Sequence, residues 1–213
     1  MKRMFVLALL LPLSAACLVR ETRHVLYLDP DGTVTWTVME SGVRSDAQAP
    51  ADRDGEEMEY LGQVKAGDHD IIRALAALGP RWVDSRTLRD ERPFAVWSQA
   101  RYDSVADLSQ RILDRLRVPG QAACWRSGAD SHFELVCHPE LAPDGDDDAK
   151  ILYPLVEDLD AYHLVLTRGR FTHAEGFRID DDGRVATLME PDEQAVKAAG
   201  GEFVLRLTWR DEQ

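Results

Sequence analysis

Alternating apolar and polar residues predict β-strands in eight segments along this chain. The segments with this pattern are 23–28, 33–40, 82–88, 94–102, 162–167, 170–179, 184–189 and 202–210. The first two flank the turn sequence Asp29-Pro30-Asp31-Gly32 and form the clearest hairpin. Since successive strands are joined by short turns, the pattern predicts a mainly antiparallel sheet.

Helical spacing of apolar residues occurs between these strands. Helices are predicted at 56–65, from Asp70 to about residue 78, from Ser104 to about residue 116, and at 191–199. The third is the best supported, because Ser104 can cap it and Pro119-Gly120 stops the pattern. Residues 41–55 are polar and rich in Ala, Asp and Gly, which predicts a loop.

Hairpins with interspersed helices predict an α+β fold. We expect a mainly antiparallel sheet built of hairpins, with about four helices packed on one face. The sequence has no internal repeat and no strong linker, so residues 23–213 are expected to form a single globular domain.

Composition narrows the class of protein. The chain has 213 residues, 45% of them apolar, which is enough for a sizeable core. Its formal charge is −13. Because nucleic-acid binding needs a clustered basic surface, an acidic chain of this kind is not expected to bind DNA or RNA.

The N-terminal residues have the layout of an export signal. Lys2 and Arg3 precede an apolar stretch at 4–13, and three small residues follow it, Ser14, Ala15 and Ala16. The apolar stretch is too short for a transmembrane helix, which needs about 20 residues. Residues 1–16 are therefore predicted to be a cleaved signal peptide.

Cys17 follows these small residues directly, and here the sequence resembles the bacterial lipoprotein signal. That resemblance implies that Cys17 receives lipid and becomes the new N-terminus, with residues 17–22 as a short tether. The family most often has Leu three residues before the cysteine, where this chain has Ser14; its nearest leucine is Leu13. Cys17 is followed by Leu18 rather than by Asp. In Gram-negative lipoproteins this would resemble the outer-membrane sorting pattern.

Ordinary cleavage is the alternative for this segment. Ser14 and Ala16 satisfy the small-x-small rule, and cleavage there would release a soluble periplasmic or secreted protein beginning at Cys17. Either route exports the chain to an oxidising compartment.

Export allows the other two cysteines to pair. Cys124 and Cys137 flank a segment that resembles a hairpin, and a four-residue loop at 129–132 would set them opposite each other. A disulfide is the favoured interpretation, with buried thiols or a metal site as alternatives. Two cysteines twelve residues apart without a second pair make a poor zinc motif.

Acidic turns and histidines suggest metal binding only weakly. Neither Asp29–Gly32 nor Asp180–Gly183 fits the calcium-loop spacing, while the aspartates between 144 and 148 could hold a cation loosely. No metalloprotease spacing joins the six histidines. His132 with His138, and His163 with His173 on strands predicted to be adjacent, are minor candidates for ligand pairs.

No motif identifies an enzyme. The serine-hydrolase elbow, the S-x-x-K motif, a phosphate-binding glycine loop and a C-x-x-C pair are all missing. Carboxylates scattered in sequence could still cleave a sugar. The tryptophans fall in predicted strands and are interpreted as packing residues rather than a sugar-binding platform. They are Trp36, Trp82, Trp97, Trp125 and Trp209.

These observations favour a cell-envelope lipoprotein with a membrane-proximal binding or structural domain. No cofactor is expected, and the expected partners are the membrane, through lipid on Cys17, and an envelope protein or a cation. Two alternatives stay open: a secreted or periplasmic hydrolase, and a soluble exported protein without lipid.

Overall fold

The computed structural model describes residues 18–141, 147–156, 162–190 and 193–211. The signal peptide and Cys17 lie outside the described residues, as does most of the acidic segment predicted to bind a cation loosely.

Eleven strands are described. They are β1 (Leu18–Leu28), β2 (Val34–Ser45), β3 (Trp82–Arg89), β4 (Phe94–Tyr102), β5 (Gly120–Ser127), β6 (Asp130–Cys137), β7 (Tyr162–Leu166), β8 (Arg170–Glu175), β9 (Phe177–Ile179), β10 (Val185–Leu188) and β11 (Phe203–Arg210). Seven form a large sheet in the order β3-β4-β2-β1-β7-β10-β9, and four form a small sheet in the order β5-β6-β11-β8. Within the large sheet, β1 and β7 run parallel and the other described neighbours are antiparallel.

The described helices are α1 (Pro50–Ala66), α2 (Asp70–Ala77), α3 (Val105–Leu116), α4 (Asp147–Lys150), α5 (Tyr153–Val156) and α6 (Glu193–Ala198). Only three of these exceed six residues. In α3 the Ser104 hydroxyl accepts hydrogen bonds from the N–H groups of Ala106 and Asp107. This confirms the predicted cap.

The expected fold class is wrong. The molecule is mostly β, with two sheets and about three substantial helices, rather than one sheet covered by about four helices. The reason lies in the apolar faces of β6 and β11, where Phe133, Leu207 and Trp209 join one core with Leu28 and Trp36 of the large sheet. The small sheet thus covers part of the surface that helices were expected to cover.

Gly176 lies where the chain passes from one sheet to the other. Residues 170–179 were predicted as one strand, but they form β8 in the small sheet and β9 in the large sheet. Gly176 has φ +76°, and a Cβ there would clash with the side chain of Leu205. The bend therefore requires glycine.

Two boundaries also differ from the prediction. The expected loop at 41–55 is the end of β2 and the start of α1. The residues expected to form a tether, from Leu18 onward, belong to β1, where Leu18 pairs with Ser45. Hydrogen-bonded strand structure is therefore already present at Leu18, the residue that follows Cys17 in the sequence.

Candidate functional site

The two cysteines of the β5–β6 hairpin are not bonded to each other. The turn is tighter than predicted, with Ser127 opposite Asp130, so Cys124 lies opposite Phe133 and Cys137 opposite Gly120. Four residues of strand, about 13 Å, separate these two register positions. A disulfide needs Cα atoms within about 7 Å, so this register does not support the predicted pairing.

In the acidic turns, aspartate side chains accept hydrogen bonds from nearby backbone N–H groups. In the β1–β2 turn Asp31 accepts the N–H of Thr33 at 2.9 Å, and before β10 Asp180 accepts the N–H groups of Arg184 and Val185. Such contacts are typical of turn-forming aspartates. Among the described residues, no three His, Cys, Asp or Glu side chains converge as a metal site.

The histidine pairs considered from sequence do not form ligand sets. His163 and His173 lie in different sheets, on β7 and β8, so the prediction that their strands are adjacent is wrong. His163 contacts the hydroxyl of Thr187, and His132 contacts that of Thr208.

A buried polar cluster brings together residue types found in hydrolases. Ser98 on β4, His69 before α2 and Glu40 on β2 are each 0% exposed. His69 Nε2 lies 3.0 Å from Ser98 Oγ and 3.7 Å from Glu40 Oε2. Sequence motifs did not indicate this cluster, because its members are distant in the chain and in no known spacing.

The geometry of this cluster is not that of a catalytic triad. In a triad the imidazole uses one nitrogen for the nucleophile and the other for the carboxylate. Here Nε2 faces both Ser98 and Glu40, and Nδ1 has no hydrogen-bond partner in the described structure. Since all three side chains are also closed to solvent, a substrate cannot reach them.

The cluster instead connects the start of β1 to the core. Glu40 Oε1 accepts a hydrogen bond from the hydroxyl of Tyr60 at 2.7 Å and lies 2.9 Å from Arg20 Nη1. Arg20 also forms an ion pair with Asp70 at the N-terminus of α2. Burial raises the pKa of Glu40 to about 7 and lowers the pKa of His69 to about 4.

The outer face of the large sheet, the face opposite the core, is the main exposed apolar surface. Neither core cluster includes a side chain from it. Five large apolar side chains on this face are 39–46% exposed. They are Val19 and Tyr27 on β1, Met39 on β2, and Trp82 and Leu88 on β3.

Cross-strand register arranges this outer face in rows. One row runs Arg86, Trp97, Met39, Arg23 across β3, β4, β2 and β1. The Arg86 guanidinium lies 4.6 Å from the centroid of the Trp97 ring. Another row runs from Trp82 through Arg101 and Thr35 to Tyr27.

The middle of the outer face is a polar ladder. Gln99 donates to the hydroxyl of Thr37 at 2.8 Å, and Arg101 donates to that of Thr35 at 3.3 Å. Because these bonds link side chains across strands, they fix the spacing of the aromatic residues beside them. The outer face therefore has the form of a rigid, mixed aromatic and arginine surface.

The sequence interpretation of the tryptophans as packing residues holds for only part of the set. Trp36 and Trp209 are 1% exposed, whereas Trp82 is 42% and Trp125 is 47% exposed. The alternation of Trp82, Asp84, Arg86 and Leu88 along β3 is the signal that could have shown an open face.

A second, smaller surface lies at the far end of β1. Trp125 stacks on His132 with ring centroids 5.2 Å apart, beside a groove of about 310 Å³ that Asp31 and Arg126 also line. The groove lies by the β1–β2 turn, at the opposite end of β1 from Leu18.

Comparisons with known proteins leave the family unassigned. No protein-family model matches the chain, and no curated protein matches it. Among solved structures, the folded domain of the Mycobacterium tuberculosis LppM protein is 12% identical, with 91% of each chain covered and a TM-score of 0.38. The Fcho1 mu homology domain of Danio rerio, with a bound Eps15 peptide, is 10% identical with a TM-score of 0.21, over 92% of this chain and 79% of that one.

Both TM-scores fall below 0.5, so neither likeness carries an argument about this chain. No helix in the described ranges has the length and apolar character needed to cross a membrane.

Proposed function

We propose that the protein is an exported cell-envelope lipoprotein, anchored through Cys17, whose domain works as a binding or structural module beside the membrane. The outer face of the large sheet is its contact surface. The proposal combines the signal at residues 1–17 with the exposed apolar side chains of that face.

The position of β1 carries the proposal. Leu18 already pairs with Ser45, and Arg20 connects the strand to Glu40 and Asp70. A lipid on Cys17 would therefore be joined to the large sheet with almost no flexible chain between them. This arrangement suits a module that acts at the membrane surface and does not suit one that must reach across the envelope.

A hydrolase receives less support from the same residues. Ser98, His69 and Glu40 bring hydrolase-type side chains together, but all three are buried. Exposed carboxylates are numerous, but contacts with nearby arginines occupy several of them, as in Glu134 and Glu175 on Arg206.

The anchoring is tested by intact mass and membrane partitioning of the full chain expressed in a bacterium, beside Cys17→Ser. We expect a lipid-sized mass increase on the wild type alone, and release of the variant to the soluble fraction once the membranes are washed with high salt, which screens electrostatic binding. An unmodified wild-type chain starting at Cys17 would contradict the proposal and favour the soluble exported protein. Cys124→Ser is the matched control and should keep the lipid.

A further inference from the structure

We propose that the outer face of the large sheet lies on an anionic phospholipid surface next to the lipid on Cys17. This inference rests on the proposed function and adds the occupant of the face. The domain would then lie with its large sheet toward the bilayer and its helices away from it.

The outer face is continuous with the attachment point. Val19 is the second residue after Cys17, is 42% exposed, and lies opposite Arg44 at the start of the sheet. The row containing Arg23 and Met39 follows about 13 Å further along β1, given a rise of about 3.3 Å per residue. A lipid inserted at Cys17 therefore brings the outer face within reach of headgroups without any linker.

The side chains of the outer face suit the membrane interface. Trp and Tyr are enriched at the level of the headgroups, where their rings meet apolar and polar surroundings together. Arginine can extend its stem over apolar surface while its guanidinium binds phosphate. Arg86 over Trp97, and Arg23 beside Met39, place both kinds of group in one row.

Charge is distributed unevenly between the two sides of the domain. Within the described strands, the outer face carries six arginines, at positions 23, 44, 86, 89, 101 and 178, and two carboxylates, Glu21 and Asp84. Helix α1, on the other side of the large sheet, carries five carboxylates with one arginine and one lysine. An anionic surface would attract the outer face and repel α1, which selects one orientation.

Several of these arginines are free to bind phosphate. Arg23 and Arg86 form no ion pair with a carboxylate within the described ranges, and the Arg86 guanidinium lies over the ring of Trp97. Arg101, in contrast, is paired with Asp29. The row of Arg86 and Arg23 is thus the part of the outer face most suited to anionic headgroups.

Quenching by brominated lipid tests the contact directly. The lipidated full chain is reconstituted in vesicles of phosphatidylcholine and phosphatidylglycerol in which part of the lipid carries bromine in its acyl chains. We expect quenching of tryptophan emission that is mostly lost in Trp82→Phe/Trp97→Phe. Trp125→Phe is the matched control, because Trp125 is as exposed as Trp82 but lies on the small sheet.

Charge is tested with the unlipidated full chain, Cys17→Ser, binding the same vesicles without bromine. Arg86→Gln and Arg23→Gln are each expected to lower binding about fivefold, since one arginine near an anionic surface contributes about that factor. Arg53→Gln, an exposed arginine on α1, should leave binding unchanged. Vesicles of phosphatidylcholine alone should bind weakly.

The two proposals fail in distinguishable ways. A chain without lipid mass overturns both. A lipidated chain whose tryptophans are not quenched, or whose quenching is removed by Trp125→Phe, overturns the docking and leaves the anchor. The docking is also overturned if the chain self-associates, shows no quenching by lipid, and loses its self-association in Trp82→Phe/Trp97→Phe. That result would identify a second copy of the chain as the occupant. Near-ultraviolet circular dichroism checks that each variant is folded.

Discussion

The indole Nε1 of Trp36 donates a hydrogen bond to Nδ1 of His24 at 3.2 Å, inside the core of the large sheet. His24 is 1% exposed and stacks on Tyr162 with ring centroids 4.5 Å apart. Because Nδ1 must accept this bond, the imidazole is neutral in the folded protein, and burial lowers its pKa to about 4.

Acid should therefore destabilise the domain through His24. Its pKa is near 6.5 in the unfolded chain and about 4 in the folded one, so the unfolded state binds more protons between these values. The free energy of unfolding then falls as pH drops from 6.5 to 4, by up to about 3 kcal/mol from this residue. Urea unfolding at a series of pH values measures the slope.

The variant His24→Phe should remove this contribution. Between pH 4 and 6.5 the free energy of unfolding should then depend less steeply on pH, because unfolding takes up about one proton fewer. At neutral pH the variant is less stable by roughly 1–3 kcal/mol, because the Trp36 N–H loses its acceptor. An unchanged slope would show that His24 is protonated in the folded state.

Glu40 should change the free energy of unfolding with pH in the direction opposite to His24. Burial raises its pKa from 4.5 to about 7, so the folded state binds more protons than the unfolded state between these values. Its contribution to stability is complete below pH 4.5 and is lost as pH rises through 7. Glu40→Gln, which resembles the protonated acid, should therefore gain up to about 3 kcal/mol relative to the wild type over this range.

The control for Glu40 is Glu59→Gln. Glu59 is an exposed residue of α1, so this substitution removes the same charge outside the buried cluster. Parallel stability curves for Glu40→Gln and the wild type would contradict the assignment of a raised pKa. His69, whose pKa burial lowers, opposes Glu40 below pH 6.5, so the difference between variants is more informative than either curve alone.

Local elements were predictable from sequence where caps and alternation were strong. The helix after Ser104 ends at Leu116 as expected, and β4 covers the predicted residues 94–102. The division into two sheets was not predictable, because alternation shows that a strand has one apolar face but not which layer that face meets. For example, the apolar face of β11, formed by Leu205, Leu207 and Trp209, could pack against a layer of helices as well as against a second sheet.

The candidate site was still less visible in the sequence. Whether Trp82 and Trp97 point to the core or to solvent depends on which face of the large sheet the small sheet covers. Contacts such as Arg20 with Asp70 join residues fifty positions apart, and no spacing rule indicates them. Of the features used for the proposed function, only the signal at residues 1–17 could be identified from neighbouring residues alone. Such a signal is defined by the order of charged, apolar and small residues in the sequence and does not depend on the fold.

The register of the β5–β6 hairpin predicts two thiols rather than a bridge between them. Titration of the unfolded Cys17→Ser chain, expressed with export intact, should find both Cys124 and Cys137 reactive. A reducing agent should leave its melting temperature unchanged. Protection of both thiols, together with a lower melting temperature on reduction, would show that the hairpin adopts the alternative register with the cysteines opposite each other.

Arg20 is expected to fix the start of β1 to the core. Its guanidinium lies 2.9 Å from Glu40 Oε1 and also pairs with Asp70, and Arg20→Met would leave the Glu40 carboxylate buried without a cation. Such a loss costs about 3–5 kcal/mol when the remaining charge is fully buried, and less here because Tyr60 still donates to Glu40.

We therefore expect Arg20→Met to lower stability by about 2 kcal/mol at pH 8 and to speed hydrogen exchange of the amides at 18–22 more than elsewhere. Arg23→Met is the matched control, because Arg23 lies on the same strand but points to the outer face. Equal effects of the two variants would mean that the cluster does not fix β1. A selective effect would mean that the buried cluster holds rigid the strand through which a lipid on Cys17 would be joined to the domain.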